Sequence, residues 1–266
     1  MKLGMISCNY WSRIYDYDVP EPFDWAAMEE KHFQEFDRAE LLRLLDKIKA
    51  LGYENLELWH PHANYREMDE EDGEETRRLI ESKGITPLVY CIGGWRPDDV
   101  DVRIERAYAF ARGLGVDIVT GCLSQEESGK ILDELERCGE KYGIRFAIEN
   151  HPEPNYEDPE EIEEILDSRS KYIGANLDSG IYYRSGYDVL ETARMFGDRI
   201  YHVHFKDATG EEGSVPTGDG EVPMEKLVEY LKEIDYEGMI SIEYEPHTEP
   251  TEDLRRSLEY AKKVLA

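Results

Sequence analysis

The chain has 266 residues, of which 34% are charged against a usual ~25%, and it is long enough to bury a sizeable hydrophobic core. Sixty acidic residues against 31 basic ones give a formal net charge of −29. Such a field repels nucleic-acid phosphate and anionic lipid, so neither a nucleic acid nor a membrane is expected as a partner.

No run of 18 or more apolar residues occurs, which excludes a membrane-spanning helix. The opening stretch MKLGMISCNYWSRIYDYD turns polar too early for a secretory signal. Cys8, Cys91, Cys122 and Cys138 have no short paired spacing, so we expect reduced thiols in a cytoplasmic protein rather than a disulfide frame or a zinc knuckle.

Short β-rich runs alternate with amphipathic, charge-rich segments along the whole chain. The first predicted strand is Lys2–Cys8. It runs into a long irregular connection, Asn9 to about Arg38, that carries Trp11, Tyr15, Tyr17, Phe23, Trp25, Phe33 and Phe36. A helix Ala39–Leu51, a strand Asn55–Trp59, a helix Glu74–Ser82 and a strand Thr86–Cys91 follow. Next come a helix Val102–Leu114, a strand Asp117–Gly121, a helix Lys130–Lys141 and a strand Arg145–Asn150. The second half reads as a helix Glu160–Leu166, a strand Tyr172–Asp178, a helix Val189–Phe196 and a strand Ile200–Lys206. A helix Glu225–Glu233, a strand Met239–Glu245 and a closing helix Asp253–Leu265 complete it. Period-two and helical spacings of Leu, Ile, Val and Ala set these assignments. Gly52, Gly84, Gly115, Gly143 and Gly197 supply the helix stops.

Eight strands, each followed by a helix, within ~250 residues is the arithmetic of a (β/α)8 TIM barrel, an α/β fold that we expect to span 1–266 as one domain. No GxGxxG follows the first strand, which argues against a doubly wound open sheet. The connection after that strand overhangs the barrel mouth. It is either a lid that stacks aromatic rings on a substrate or a contact arm for a homo-oligomer.

Chemistry in such a barrel sits at the C-terminal ends of the strands. Here four consecutive ends read AIENH, NLDSG, HVHFKD and SIEYEP, and they carry Glu149, Asp178, His204 and Glu243. Their separations are 29, 26 and 39 residues, which average one βα unit of about 31. All four side chains therefore converge at one mouth. Three carboxylates and an imidazole suit one divalent ion, Mn²⁺, Mg²⁺, Co²⁺ or Zn²⁺, with positions left for substrate oxygens. Alternation places His202 one layer deeper and Lys206 one layer higher, where it meets a substrate oxygen or pairs with Glu245. Glu57 shares a face with Trp59 and is either an acid backing the cluster or a buried salt-bridge partner. Arg96, after a Gly-Gly turn, is either a substrate contact or a surface arginine.

Those four strand-end motifs, together with GDGEVPMEKLVEYLKEIDYEG, resemble the xylose-isomerase-like sugar isomerase/epimerase superfamily. The resemblance covers nearly the whole chain and is strongest from Phe146 to Pro246. It implies a metal-dependent barrel whose ligands fall on Glu149, Asp178, His204 and Glu243, the set reached from spacing. Ketose 3-epimerases in that superfamily carry a His three residues after the metal-binding Asp, where this chain has Ile181. They also carry an Arg shortly after the metal-binding His, where this chain has Ala208–Thr209–Gly210. The HxHxKD form is more similar to the sugar-phosphate isomerase and inosose-enzyme branch. The richer His set and basic face of endonuclease IV are missing.

The implied activity is sugar isomerisation or epimerisation by proton transfer next to a carbonyl. The metal grips the carbonyl and a neighbouring hydroxyl and stabilises the enediolate as it forms. Glu149 and Glu243 remove and return the proton as catalytic residues. Lys206, His151, Trp11, Glu57 and Arg96 are the expected substrate-binding residues, on a small carbohydrate such as a keto-sugar, a polyol-derived ketone or a sugar acid. A dehydratase or lyase that expels a β-hydroxyl from the same enolate is the alternative. A metal-dependent hydrolase and a non-catalytic partner subunit are less favoured.

Overall fold

A computed structural model of the chain describes residues 1–95, 100, 102–210 and 213–266. Its centre is a closed barrel of eight parallel strands. These are β1 (Lys2–Ile6), β2 (Asn55–Trp59), β3 (Thr86–Trp95), β4 (Ile118–Leu123), β5 (Arg145–Glu149), β6 (Ile173–Asp178), β7 (Ile200–Thr209) and β9 (Met239–Glu243). Each strand pairs with the next, and β9 returns to β1 through Lys2↔Met239 and Met5↔Ile242. A short strand β8 (Gly213–Val215) lies outside the barrel, antiparallel to the end of β7.

The outer layer holds α2 (Arg38–Leu51), α3 (Glu70–Ser82), α4 (Arg103–Leu114), α5 (Ser128–Tyr142), α6 (Pro159–Ser168), α8 (Val189–Phe196), α9 (Met224–Glu233) and α10 (Thr251–Leu265). Each of these buries one stripe and leaves its acids in water; α5, for example, buries Ile131, Leu132, Leu135 and Cys138. Aspartates start several of them, with the Asp37, Asp158 and Asp188 carboxylates accepting first-turn N–H groups and Asp69 forming a capping box with Asp72. Gly52, Gly115 and Gly143 end α2, α4 and α5 in left-handed geometry, as the stop signals predict.

Two stretches depart from the sequence reading. The connection after β1 is not irregular throughout. A 3₁₀ segment, Ser7–Tyr15, takes over the last two residues of the predicted first strand. A helix, α1 (Trp25–Glu35), follows, started by the Asp24 carboxylate on the N–H groups of Ala26 and Ala27. A further short helix, α7 (Ser179–Arg184), begins directly at the end of β6.

Side-chain alternation builds the barrel interior in layers. One face carries Ile118, Thr120 and Cys122 on β4, Ala147 and Glu149 on β5, and Met239, Ser241 and Glu243 on β9. An apolar base of Val89, Ile118, Ala147, Tyr201 and Met239 therefore supports a polar middle and an acidic mouth.

A candidate metal centre at the barrel mouth

Glu149, Asp178 and Glu243 are the last residues of β5, β6 and β9, and His204 lies midway along β7. Each offers one ligand atom, and the four atoms lie within 4.8 Å of one another. His204 Nδ1 is 2.9 Å from Glu243 Oε2, 3.3 Å from Glu149 Oε1 and 3.9 Å from Asp178 Oδ2. All four residues are buried.

Local structure fixes each of them. Asp178 ends its strand and caps α7, its Oδ1 accepting the Ile181 N–H at 2.8 Å, which leaves Oδ2 to face the cluster. Asn150 ties the ends of β5 and β6 together, its Oδ1 accepting the Asp178 N–H at 2.9 Å. Ser179 Oγ donates toward the carbonyls of His204 and Lys206, tethering β7 to the same junction. Gly180 is required there, because a Cβ would lie 2.9 Å from the Lys206 carbonyl oxygen.

Behind the cluster, Glu57 receives three donors. Its Oε2 is 2.7 Å from His202 Nε2 and 3.1 Å from His204 Nε2, and its Oε1 accepts the Thr120 hydroxyl at 2.7 Å. Burial opposes charge on Glu57, but the two imidazoles outweigh it and hold the carboxyl well below the usual range. Glu57 is thus enclosed and is not among the residues lining the cavity above; it stands behind His204 as a backing acid and as a buried salt-bridge partner, the two places expected for it beside a substrate contact. Burial likewise opposes charge on His204, yet Glu243, Glu57 and Glu149 hold its imidazole well above the usual value.

Lys206 Nζ sits 2.6 Å from Glu245 Oε2, 3.4 Å from Glu243 Oε2 and 3.6 Å from Asp178 Oδ2. Against its burial, these three carboxylates push the ammonium well above the ordinary lysine value. These contacts favour the charged ammonium. Burial is the main cause that lifts Asp178 to about 7, against the pull of Lys206.

Asp178 Oδ2 and Glu243 Oε2 are buried and accept no hydrogen bond among the described residues, although both lie within ion-pairing range of His204 and Lys206. Buried carboxylate oxygens without donors are costly. An oxygen-rich set with one imidazole fits a divalent cation of the Mn²⁺, Mg²⁺, Co²⁺ or Zn²⁺ kind, and a cation satisfies both oxygens.

A cavity of about 1150 Å³ opens over the cluster, with Glu149, His204, Lys206, Glu243 and His151 in its wall. Trp11 does not reach that wall. It packs into a buried cluster with Ile6, Met28 and Trp59, 5.2 Å from the ring of Trp25, which is the wall residue instead. Arg96 lies outside the described residues. Trp25 and Phe33, named in the connection expected to be a lid or an arm, do stand in the wall, carried by helix α1, which the sequence did not show; Glu29, Arg66 and Arg184 of the same wall were not among the expected site residues. The signal available was Asp24 as a cap before a run with Met28 and His32 one turn apart.

The link between HVHFKD and GDGEVP also becomes physical. Asp207 is buried and its carboxylate accepts the N–H groups of Gly218 at 2.8 Å, Gly220 at 3.0 Å and Val222 at 3.2 Å. Gly218, at φ +102, and Gly220, where a Cβ would strike Asp207, let the loop wrap that carboxylate and brace the end of β7.

Over residues 45–264 the chain matches the family described as xylose isomerase-like TIM barrel, and it belongs to that family. Among curated relatives, it is 35% identical over 121 residues to an uncharacterized protein of Methanocaldococcus jannaschii, covering 42% of this chain and 41% of that one. It is 29% identical over 172 residues to an inosose dehydratase of Bacillus velezensis, covering 55% and 57%. The chain thus spans about half the length of the curated relatives it matches. Among solved structures, D-allulose 3-epimerase from Methylomonas sp. superposes with a TM-score of 0.74 at 16% identity, covering 100% of this chain and 98% of that one. The probable 3-DHS dehydratase AsbF of Bacillus anthracis gives 0.69 at 16% identity, covering 98% and 99%. At such identities these two structures speak for the fold.

Proposed function

We propose that the protein is a divalent-metal-dependent enzyme of carbohydrate metabolism that isomerises or epimerises a keto-sugar, or a related polyol-derived ketone or sugar acid, by proton transfer beside the carbonyl. One observation carries the reading. Four ligand atoms from consecutive barrel strands lie within 4.8 Å of one another at the cavity floor, and two of their carboxylate oxygens, though in ion-pairing range of His204 and Lys206, accept no hydrogen bond from the described residues.

Glu149, Asp178, His204 and Glu243 would hold the cation. When bound, it supplies Lewis-acid polarisation of a substrate carbonyl, which acidifies the neighbouring C–H. The remaining work belongs to the side chains. Glu149 and Glu243 stand on β5 and β9 with His204 between them, so one carboxylate takes the α-proton and the other returns it to the opposite face or the adjacent carbon. Lys206, held charged by Glu245, donates a hydrogen bond to a substrate oxygen and stabilises negative charge as the enediolate develops. His151, in the same cavity wall, and Lys206 are the side chains placed to shuttle protons at the substrate oxygens.

Loss of a β-hydroxyl from the same enediolate is the second reading, favoured by the inosose dehydratases among the sequence relatives. Proton NMR in D₂O separates the two. The protein loaded with Mn²⁺ or Mg²⁺, with a chelator control, is incubated with ketoses, aldoses, inososes and sugar acids. Metal-dependent loss of an α C–H signal with a rearranged product supports isomerase or epimerase chemistry, and an unsaturated product supports dehydration. No exchange on any substrate, with metal bound, contradicts both.

A further inference from the structure

Glu245 stands in the wall of the large cavity but is not one of the four residues whose ligand atoms cluster. The 3₁₀ segment Ser7–Tyr15 clasps the chain around it. Asn9 Nδ2 donates to the Ile242 carbonyl at 2.9 Å, and Asn9 Oδ1 accepts the Tyr244 N–H at 2.7 Å. Ser12 Oγ donates to the Pro246 carbonyl at 3.1 Å, so the backbone is tied on both sides of Glu245. Cys8 Sγ donates to Glu245 Oε1 at 3.3 Å, and the other carboxylate oxygen, Oε2, takes the Lys206 ammonium at 2.6 Å.

Lys206 is confined from its own side. Its N–H donates to Ser179 Oγ at 3.2 Å, and its stem passes so close to Gly180 that a Cβ there would lie 2.9 Å from Lys206 Cγ. Three carboxylates are within reach of the ammonium. The shortest contact is to Glu245, and the two longer ones, 3.4 and 3.6 Å, are to Glu243 Oε2 and Asp178 Oδ2. Those two oxygens belong to residues of the metal cluster. An ammonium that closes on them neutralises the charge that draws a divalent cation and adds its own repulsion. Two positive groups thus compete for one pair of oxygens, and the contact outside the cluster decides where the lysine stays.

We propose that Glu245 is a positioning residue for the metal centre: it holds the Lys206 ammonium off Asp178 Oδ2 and Glu243 Oε2 and so leaves both oxygens to the cation. The inference rests on the metal reading of the four-residue cluster. A carboxylate that merely added negative charge to the mouth would act on the cation directly. One that acts through Lys206 loses its effect when the ammonium is gone.

A double-substitution cycle on Mn²⁺ affinity separates these cases. The whole chain, stripped with chelator, is titrated with Mn²⁺ and free ion is read by electron paramagnetic resonance. The four proteins are wild type, Glu245→Gln, Lys206→Met and the double variant, each checked for folding by circular dichroism and thermal unfolding. Lys206→Gln takes the place of Lys206→Met in the cycle if the methionine variant does not fold. Glu245→Gln is expected to weaken Mn²⁺ binding at least tenfold. Lys206→Met is expected to bind Mn²⁺ at least as tightly as wild type, and in that background Glu245→Gln lowers affinity by no more than about twofold. Equal losses from Glu245→Gln in both backgrounds mean a charge or a fold defect acting without Lys206, and overturn the inference. So does weaker binding in Lys206→Met, which makes the ammonium a support of the centre and not its competitor. No tight Mn²⁺ site in the wild-type chain removes the metal reading and this inference with it, whereas a tight site without the coupling overturns this inference alone.

Discussion

His204 is held from both sides. Its Nδ1 faces the carboxylates of Glu149, Asp178 and Glu243, and its Nε2 meets Glu57, which is itself anchored by His202 and Thr120. A carboxylate behind an imidazole fixes the ring's orientation and raises its basicity as a ligand. Glu57→Gln is therefore expected to weaken Mn²⁺ binding by about 10- to 100-fold while the barrel stays folded, read by metal titration and circular dichroism. Glu149→Gln and Glu243→Gln are expected to lower kcat by about 10²- to 10⁴-fold, the span of a lost general base, on the substrate that the NMR screen identifies. Near-wild-type turnover in both glutamine variants contradicts the proposed roles. The strand-end residues were legible because alternation and a spacing of one βα unit brought them to one mouth. Glu57 was legible only as alternatives, an acid backing the cluster, a buried salt-bridge partner or a substrate contact, since whether a buried acid faces the cavity or backs a neighbour depends on which imidazole crosses the barrel to meet it. Trp11 is a related case: its ring packs among Met28 and Trp59, and Trp25 beside it takes the place in the wall.

At the scale of elements, α1 differs from the outer helices. Only Met28 and His32 of its residues are buried, so its apolar stripe is too thin to announce a helix by periodicity, and it vanishes into an aromatic-rich connection. The long stripes of α2, α5 and α10 were legible because each buries four or more residues on one face. His32 anchors α1 against Trp59 and His62, and burial lowers its imidazole to about 4. In the unfolded chain the same ring takes a proton near 6.5. Between those values the unfolded state binds more protons, so this contribution to stability is full above pH 6.5 and is lost as pH falls toward about 4. The loss from His32 alone is about 3 kcal/mol, and His62, lowered by burial as well, adds to it. Urea unfolding from pH 7 to pH 4.5 is expected to show this decline, reduced in His32→Leu. An equal slope in that variant contradicts the assignment.

For the molecule as a whole, the barrel was legible from the count and order of elements, because eight repeats of strand and helix leave few other closed topologies. The net charge of −29 acts at this scale too. Its self-repulsion is expected to exceed what exposed ion pairs such as Lys31–Glu35 return. Raising KCl from about 0.1 to about 1 M shortens the Debye length from ~10 to ~3 Å, and Tm is expected to rise across that range. A fall in Tm contradicts the dominance of repulsion. The acidic field also concentrates cations at a mouth already lined by Glu149, Asp178 and Glu243. The most direct test of the account is therefore Mn²⁺ titration of the chelator-stripped protein, followed by electron paramagnetic resonance. The account predicts one tight site per chain, with affinity reduced more than tenfold in Asp178→Ala and in His204→Ala. No tight site in the wild-type chain, or an equal one in both variants, contradicts it.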